Sequence, residues 1–506
     1  MISNIGTWMQ NAAAGWLMTG LNPDPLIVSL VQVATTLPMF LFGLPAGALA
    51  DIVDRRRLLI GVQIGLTLAI AIFAVMVWRQ SATPLTLLVF TFLTGAGSAS
   101  IGPSWQAIVP QLVPREHLAP AVAANSIGFN VSRAIGPALA GFIISEMGIA
   151  APFWINAVSN ITVIAALTWW QPPAAGAGRL PAERFGSAIL VGLRHAAANL
   201  DLRASMMRAL GFFFSASAYW ALLPLVARDQ IGGGPGLYGL LLGAIGTAAV
   251  LGAFLLPFLT HRLGADRVVV AGTLGTVAAL VLFGIAKLPV IALVASFAAG
   301  VSWIAVIATI NVSAQMALPA WVRGRGLSLF ATVMFGGLTL GSIAWGQLAG
   351  ALGLPATHYA AACCLAASIP LLRRWRLQAN PGVDLSPSTH WPAPVVAADI
   401  EADRGPVLVM VEYRIRPETR EAFIEKLREL SYQRRRDGAF DWGVFEDAAE
   451  IGRVVETFVV SSWLEHLRQH QRVTQESREL QELVGAFHIG PTPPVVSHLI
   501  SAYPSD

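Results

Sequence analysis

One arginine in this chain stands in unusual company. Within NVSRAIGPALAG, Arg133 is the only charged residue well inside a long apolar run. A charge at that depth in a bilayer costs on the order of 2.5–3.5 kcal/mol and usually marks a pathway or a pair. No acidic residue lies at matching depth in either half of the chain. An unpaired guanidinium facing a wet cavity can hold a carboxylate or phenolate by a forked hydrogen bond. The competing reading is a structural arginine satisfied by backbone carbonyls or by Asn125 and Asn130 on its own helix. A second concentration of charge is GALADIVDRRR, where Asp51, Asp54, Arg55, Arg56 and Arg57 follow a stretch from Leu26 to Ala50 with no charge. A third feature is His466 and His470, four apart on one helix face. They make half a metal site, with no third ligand at recognisable spacing, and a solvated or dimer-contact face competes with that reading. Cys363 and Cys364 are adjacent in an apolar segment, so neither a disulfide framework nor spaced metal ligands are indicated. The sequence carries no nucleophile triad, glycine-rich phosphate loop or Walker lysine, so no catalytic residue is assigned and ATP-driven work is disfavoured.

The elements that must position these residues are set by composition. Hydrophobic residues make up 55% and charged residues 12%, about half the charged share of a soluble protein, roughly 25%. Apolar runs long enough to cross a bilayer, roughly 17–25 residues, recur over 2–21, 26–50, 58–78, 85–108, 119–145, 150–170, 207–227, 236–259, 268–286, 289–313, 326–349 and 355–372. Short cytoplasmic loops are enriched in Lys and Arg. With the N-terminus cytoplasmic, sixteen arginines fall in the inside loops and tail, and the outside loops keep Arg79, Arg228 and Lys287. The burst at 51–57 is therefore where a span meets the cytoplasm. No cleavable signal peptide is visible. The opening MISNIGTWMQNAAAGWLMTGL is already helix-like, and a start chosen a few residues late is an open alternative.

The net charge of +4 conceals a division, since positions 1–376 hold 20 Lys+Arg against 9 Asp+Glu while the remainder is acidic. The expected organisation is a six-helix bundle over 1–170, a cytoplasmic loop over 171–206, a second six-helix bundle over 207–376, a linker over 377–404 and a soluble domain over 405–506. Within the loop, RFGSAILVGLRHAAANL reads as an amphipathic helix at the interface. A shift of 205 aligns Gly47 with Gly252, Gly95 with Gly300, Pro114 with Pro319, Gly136 with Gly341 and Gly141 with Gly346. Parallel six-helix halves are an architecture of secondary transporters. Past the Pro- and Ser-rich linker, the pattern strand, helix, two strands, one long helix (463–487) and a last strand matches a ferredoxin-like split unit.

Four segments resemble the major facilitator superfamily, and within it the bacterial transmembrane secretion effectors related to the enterobactin exporter. They are GTWMQNAAAGWLM, GALADIVDRRR, NVSRAIGPALAG and, in the tail, SSWLEHLRQHQRVTQESREL. The resemblance covers nearly the whole chain. The superfamily's loop pattern falls on Gly47, Asp51 and Arg55, Arg56 and Arg57, with Asp54 among them, and implies that these residues latch the cytoplasmic side in the outward-open state. A carboxylate set against a helix N-terminus is worth ~0.3–1 kcal/mol when exposed and up to ~2 when partly buried, weak enough to break in each cycle. The chain departs from the pattern with Ile52 in place of a basic residue and Asp54 in place of Gly, and pairing of Asp54 with the arginines is one option. Gly136, Pro137 and Gly141 match the fifth-helix motif of superfamily antiporters, although Ala140 stands where a second Gly is common. On the spans that line the superfamily's cavity, the candidates are Gln10, Asn11, Trp105, Gln106, Asn311 and Gln315, each a residue type that is more often a helix contact than a ligand. The tail resembles the dimeric α+β barrel family that includes small monooxygenases of antibiotic biosynthesis.

The resemblance thus implies an all-α membrane protein of twelve helices in two pseudo-symmetric halves with a small α+β tail. It implies a proton-coupled exporter of small amphipathic or anionic molecules, siderophore-like or drug-like, in a bacterial inner membrane with both termini cytoplasmic. Expected partners are the substrate, protons, the bilayer and a second copy through the tail; no cofactor, metal or nucleic acid is expected. Asp24, Glu146 and Asp229 lie near the outer surface, so no proton carrier is assigned at midplane. The alternatives are a membrane-tethered monooxygenase acting through the tail and an importer of the same fold.

Overall fold

The computed structural model describes residues 1–114, 117–170, 192–193, 195–319, 321–377, 386, 388, 391, 401 and 404–502. They belong to two compact units. The first comprises Met1–Pro181, Ala204–Ser313 and Ser328–Ala379, and the second Ala182–Arg203, Ala314–Leu327 and Asn380–Asp506. Most of the expected interfacial helix and most of the 377–404 linker lie outside the described residues.

Among the described residues, twelve long helices precede the tail: α1 (Ile2–Leu21), α2 (Pro25–Ile52), α3 (Arg55–Trp78), α4 (Pro84–Leu112), α5 (Leu118–Met147), α6 (Ala151–Trp169), α7 (Leu200–Leu225), α8 (Pro235–Leu263), α9 (Ala265–Ile285), α10 (Pro289–Met316), α11 (Arg323–Leu352) and α12 (Leu354–Leu371). Eleven are long and apolar enough to cross a membrane; α1 has the length but carries Ser3, Asn4, Gln10 and Asn11. Local chemistry sets their ends. Asp24 accepts from the backbone N–H of Leu26 and caps α2 just ahead of Pro25, and Thr83 and Thr86 cap α4 reciprocally around Pro84. Gly148, Gly264 and Gly353 follow α5, α8 and α11 at φ of 87°, 78° and 82°, a region glycine enters without steric cost. The outward faces stay apolar, with Leu68, Ile72, Phe142 and Phe254 exposed, as suits helices whose solvent is hydrocarbon.

The two halves expected from the 205-residue offset are visible in the packing. Gly95 on α4 lies against the α2 carbonyls of Ala34 and Thr35, and Gly300 on α10 against the α8 carbonyl of Ile245. Gly136 on α5 packs on α1 at Ile5 and Trp8, and Gly341 on α11 packs on α7 at Phe214. Gly148 and Gly353, again 205 apart, share their positive φ. The offset also describes how half meets half. Gly141 seats against Pro235 and Gly239 of α8, and its counterpart Gly346 against Leu26 and Ser29 of α2. Along the first seam a Cβ on Gly239 would lie 2.7 Å from Pro137 O, and one on Gly246 2.5 Å from Ala134 Cα, so the backbones touch directly. Thr36 and Thr339 hydrogen-bond at 2.8 Å along the second.

The second unit holds a four-stranded antiparallel sheet of β1 (Val407–Arg414), β2 (Phe440–Glu446), β3 (Arg453–Val460) and β4 (Val495–Ile500), in the order β2-β3-β1-β4. Val407, Val409, Val411 and Tyr413 alternate inward on β1 and pack on Phe423, Leu427 and Leu430 of α13 (Arg420–Arg436), the period-2 and period-3.6 patterns meeting in one core. This is the expected β-α-β-β-α-β order, with one correction. The long helix expected over 463–487 is two, α14 (Trp463–Arg472) and α15 (Gln475–Gly485). Thr474 breaks it, because its hydroxyl accepts from Ser477 N and so starts a new helix.

Candidate functional site

Arg133 lies midway along α5, and side chains from both halves surround it. Its guanidinium carbon is 5.8 Å from the ring of Trp8 on α1, 5.7 Å from that of Trp220 on α7 and 5.8 Å from that of Trp303 on α10. Trp220 and Trp303 meet edge to face at 5.3 Å, and the wall continues through Phe213, at 5.1 Å from Trp303, and Tyr219. A cation over an aromatic face gains ~0.5–1 kcal/mol, rising to about 2 when desolvated, so the cage holds the charge without neutralising it. Among the described residues Arg133 forms no ion pair, and its buried Nε and the buried Trp303 Nε1 have no hydrogen-bond partner. The centre therefore presents donors and positive charge in an apolar frame. An acceptor-rich, anionic group complements it chemically.

The two asparagines on the same helix are engaged elsewhere. Asn125 Oδ1 accepts from Trp105 Nε1 at 3.3 Å, and Asn130 Nδ2 donates to Ser126 O at 2.9 Å. Of the other cavity candidates, Gln10 is buried and accepts from Asn156 Nδ2 at 2.6 Å, linking α1 to α6. Asn11 and Trp105 are half-buried, while Asn311 and Gln315 are exposed on the last turns of α10. The Gln106 side chain lies outside the described residues. The three tryptophans of the cage were missed by sequence reasoning. Trp8 lies in GTWMQNAAAGWLM, but nothing in the spacing links it to Trp220 and Trp303, which are brought in by two other helices.

Gly47 and Asp51 fall in the last turns of α2 and Arg55 opens α3, with all three side chains outside the description. Asp54 is the N-cap of α3, its carboxylate accepting from Arg57 N at 2.8 Å. Arg56 reaches the end of α6, donating from Nε to Leu167 O at 2.8 Å and from Nη2 to Thr168 O at 2.5 Å. A cation on the last carbonyls of a helix is favoured by the helix dipole. Gly136, Pro137 and Gly141 form the α5 side of the small-residue seams described above.

Of the three carboxylates expected near the outer surface, Asp24 caps α2, Asp229 lies 3.8 Å from Arg228, and Glu146 is exposed near the end of α5. At that same end Arg228 Nη1 donates to Thr19 O, tying the two halves together.

A family model described as transmembrane secretion effector matches residues 1–505. The chain is 24% identical to a staphyloferrin A transporter of Staphylococcus aureus over 51% of its own length and 65% of that protein's, so it spans just under two thirds of this relative. It is 26% identical to the multidrug efflux pump Tap of Mycolicibacterium fortuitum over 74% of this chain and 91% of that one. Among solved structures, a bacterial homologue of the lysosomal transporter Spinster, inward-facing and occupied, superposes with a TM-score of 0.55 at 15% identity, covering 74% of this chain and 95% of that one. A bacterial homologue of the iron transporter ferroportin, inward-facing, gives 0.54 at 15% identity over 74% and 97%. At these identities the two structures bear on the fold alone.

Proposed function

Because the chain belongs to the transmembrane secretion effectors of the major facilitator superfamily, we propose that it is a secondary active exporter of small amphipathic or anionic molecules, siderophore-like or drug-like, working by alternating access. The observation that carries the substrate class is the aromatic-caged Arg133, a positive, donor-only centre at the meeting of two halves that pairs with no carboxylate among the described residues. A bound carboxylate or phenolate supplies the missing acceptors, and the tryptophan faces accommodate the apolar remainder of an amphipathic molecule. The printed names of two relatives, a staphyloferrin A transporter and a multidrug efflux pump, support a small-molecule substrate, and the second supports the outward direction.

Alternating access is supported by where the halves meet. Gly141 on Gly239, Gly346 on Ser29 and Arg228 on Thr19 all join the halves at one end. At the other end Asn125 and Phe129 of α5 and Asn311 and Gln315 of α10 are exposed. The arginine bias of the loops supports assigning the exposed end to the cytoplasm, which makes this an inward-open arrangement in a bacterial inner membrane with both termini inside. Protons are the proposed coupling ion. The lack of any nucleotide-binding loop supports a gradient-driven cycle. In that cycle Asp51 and Arg55, Arg56 and Arg57 latch the cytoplasmic side, and Gln10, Asn11, Trp105, Gln106, Asn311 and Gln315 line or support the path.

The tail is proposed to regulate export and to associate with a second copy. Within the second unit it contacts segments that precede and follow transmembrane helices. His195 Nδ1 donates to Arg436 O at 2.9 Å, and Arg472 stacks 4.2 Å over Trp321.

The test is uptake into energised inverted vesicles, screening siderophores and lipophilic acids. Accumulation that an uncoupler abolishes, and that Asp51→Asn loses at unchanged protein level, is the expected result. Accumulation unaffected by the uncoupler contradicts the coupling, and accumulation only in right-side-out vesicles contradicts the direction.

A further inference from the structure

The fold supplies the third ligand that the spacing of His466 and His470 lacks. On α14 the two rings stand one turn apart, with Nε2 to Nε2 at 3.2 Å. His498 arrives from β4, its ring centroid 4.6 Å from that of His466. One ligand nitrogen from each of the three lies within 4.8 Å of the others. We propose that His466, His470 and His498 form a divalent transition-metal site in the tail, holding an ion of the zinc class with a fourth position open.

The distances suit such an ion. Zinc–nitrogen bonds of ~2.0–2.1 Å place tetrahedral ligand nitrogens about 3.3 Å apart, close to the separation already present between the two helix imidazoles. Only a modest approach of His498, on the edge strand β4, completes the triad. Imidazole ligands without thiolate or carboxylate select zinc, copper, nickel or cobalt over calcium and magnesium. The site is also built into the domain. His466 is 1% exposed and its Nδ1 is buried without a hydrogen-bond partner, as are both amide atoms of neighbouring Gln469. Trp463 and Trp391 wall the cluster, at 5.5 Å from His466 and 4.9 Å from His470. Arg434, whose charge opposes a cation, is committed to Glu456 at 3.3 Å. A bound ion ties α14 to the last strand, so the fold of the tail becomes coupled to metal supply.

The test uses the full-length protein in detergent, purified without a histidine tag, and Co2+ alone as the probe. One Co2+ per chain is expected, with a visible ligand-field spectrum that Zn2+ displaces. His470→Ala and His498→Ala, both at half-buried positions, are expected to weaken binding by ~100-fold or more, since even groups that only orient a ligand are worth about 10–100-fold. His488→Ala, which alters a half-buried imidazole bound to Thr492 O and Arg414 N outside the cluster, leaves it unchanged. A wild-type protein with no ligand-field spectrum, or equal affinity in His498→Ala, overturns the proposal and leaves a hydrogen-bonded imidazole cluster. The wild type alone provides a second reading, because a chelator lowers the unfolding temperature of the tail if the site is occupied and leaves it unmoved if it is not.

Discussion

Arg133 shows what a sequence reveals and what it conceals at the level of one side chain. A lone charge in an apolar run is visible without any structure, because the energetic anomaly is local. Its surroundings are not, since Trp8, Trp220 and Trp303 come from three other helices and two halves of the chain. The same limit hid His498, which reaches His466 only through the sheet register that pairs β4 with β1. Chemistry at the caged arginine depends on shape as well as charge. A lysine keeps the positive charge but lacks the planar fork and stacks poorly on indole. Arg133→Lys is therefore expected to weaken the apparent affinity for an acidic substrate roughly tenfold, the loss of about 1.4 kcal/mol from a charge-assisted hydrogen bond. Concentration-dependent uptake into inverted vesicles reads this directly, and an unchanged half-saturation point argues against forked binding.

At the level of elements, helix number, helix ends and the internal repeat were legible because Pro, Gly and the apolar period write them locally. The small-residue pattern of α5 was legible too, but its partner was not, because only the folded chain brings Gly239, Gly243 and Gly246 of α8 against it. The break inside the tail's long helix was missed because Thr474 reads as an ordinary polar position until its hydroxyl is seen capping Ser477. The α5–α8 seam carries a specific expectation. A Cβ on Gly239 meets Pro137 O at 2.7 Å and Gly141 Cα at 2.8 Å, and backbone neighbours cannot move aside cheaply. Gly239→Val is expected to cost this seam ~1–3 kcal/mol and to abolish transport at nearly normal protein level. Gly61→Ala, where nothing lies within 4 Å, leaves transport intact. Normal transport by Gly239→Val means that the seam does not gate.

For the molecule as a whole, the charge division between the first 376 residues and the rest anticipated two kinds of matter in one chain. What composition did not anticipate is that segments 182–203 and 314–327 belong with the tail. His195 anchors this arrangement, fully buried, with Nδ1 donating to Arg436 O and Nε2 accepting from Asn199. Burial, only partly offset by the Arg436 hydrogen bond and reinforced by the charges of Arg436 and Arg472, pushes its pKa down to about 4. The folded state thus binds fewer protons than the unfolded one, and the contribution is fully present above pH 6.5 and lost as pH falls toward 4. Asp437, raised to about 6 by burial, acts in the opposite sense, its contribution being present at low pH and lost as pH rises through 6. Comparison with His195→Gln isolates the first effect. Between pH 6.5 and 4 the wild-type tail is expected to lose up to ~3 kcal/mol relative to the variant, seen in denaturant unfolding of the full chain. Parallel pH profiles contradict the buried neutral imidazole.

The central claim is that two six-helix halves carry an acidic molecule past Arg133. The most direct measurement compares uptake of a transported lipophilic acid and its neutral methyl ester by inverted vesicles bearing wild-type protein or Arg133→Ala. The account predicts that the wild type favours the acid, and that the variant, at equal protein level, loses that preference while still moving the ester. If Arg133→Ala carries the acid as well as the wild type does, the arginine is structural and the anionic substrate class falls with it.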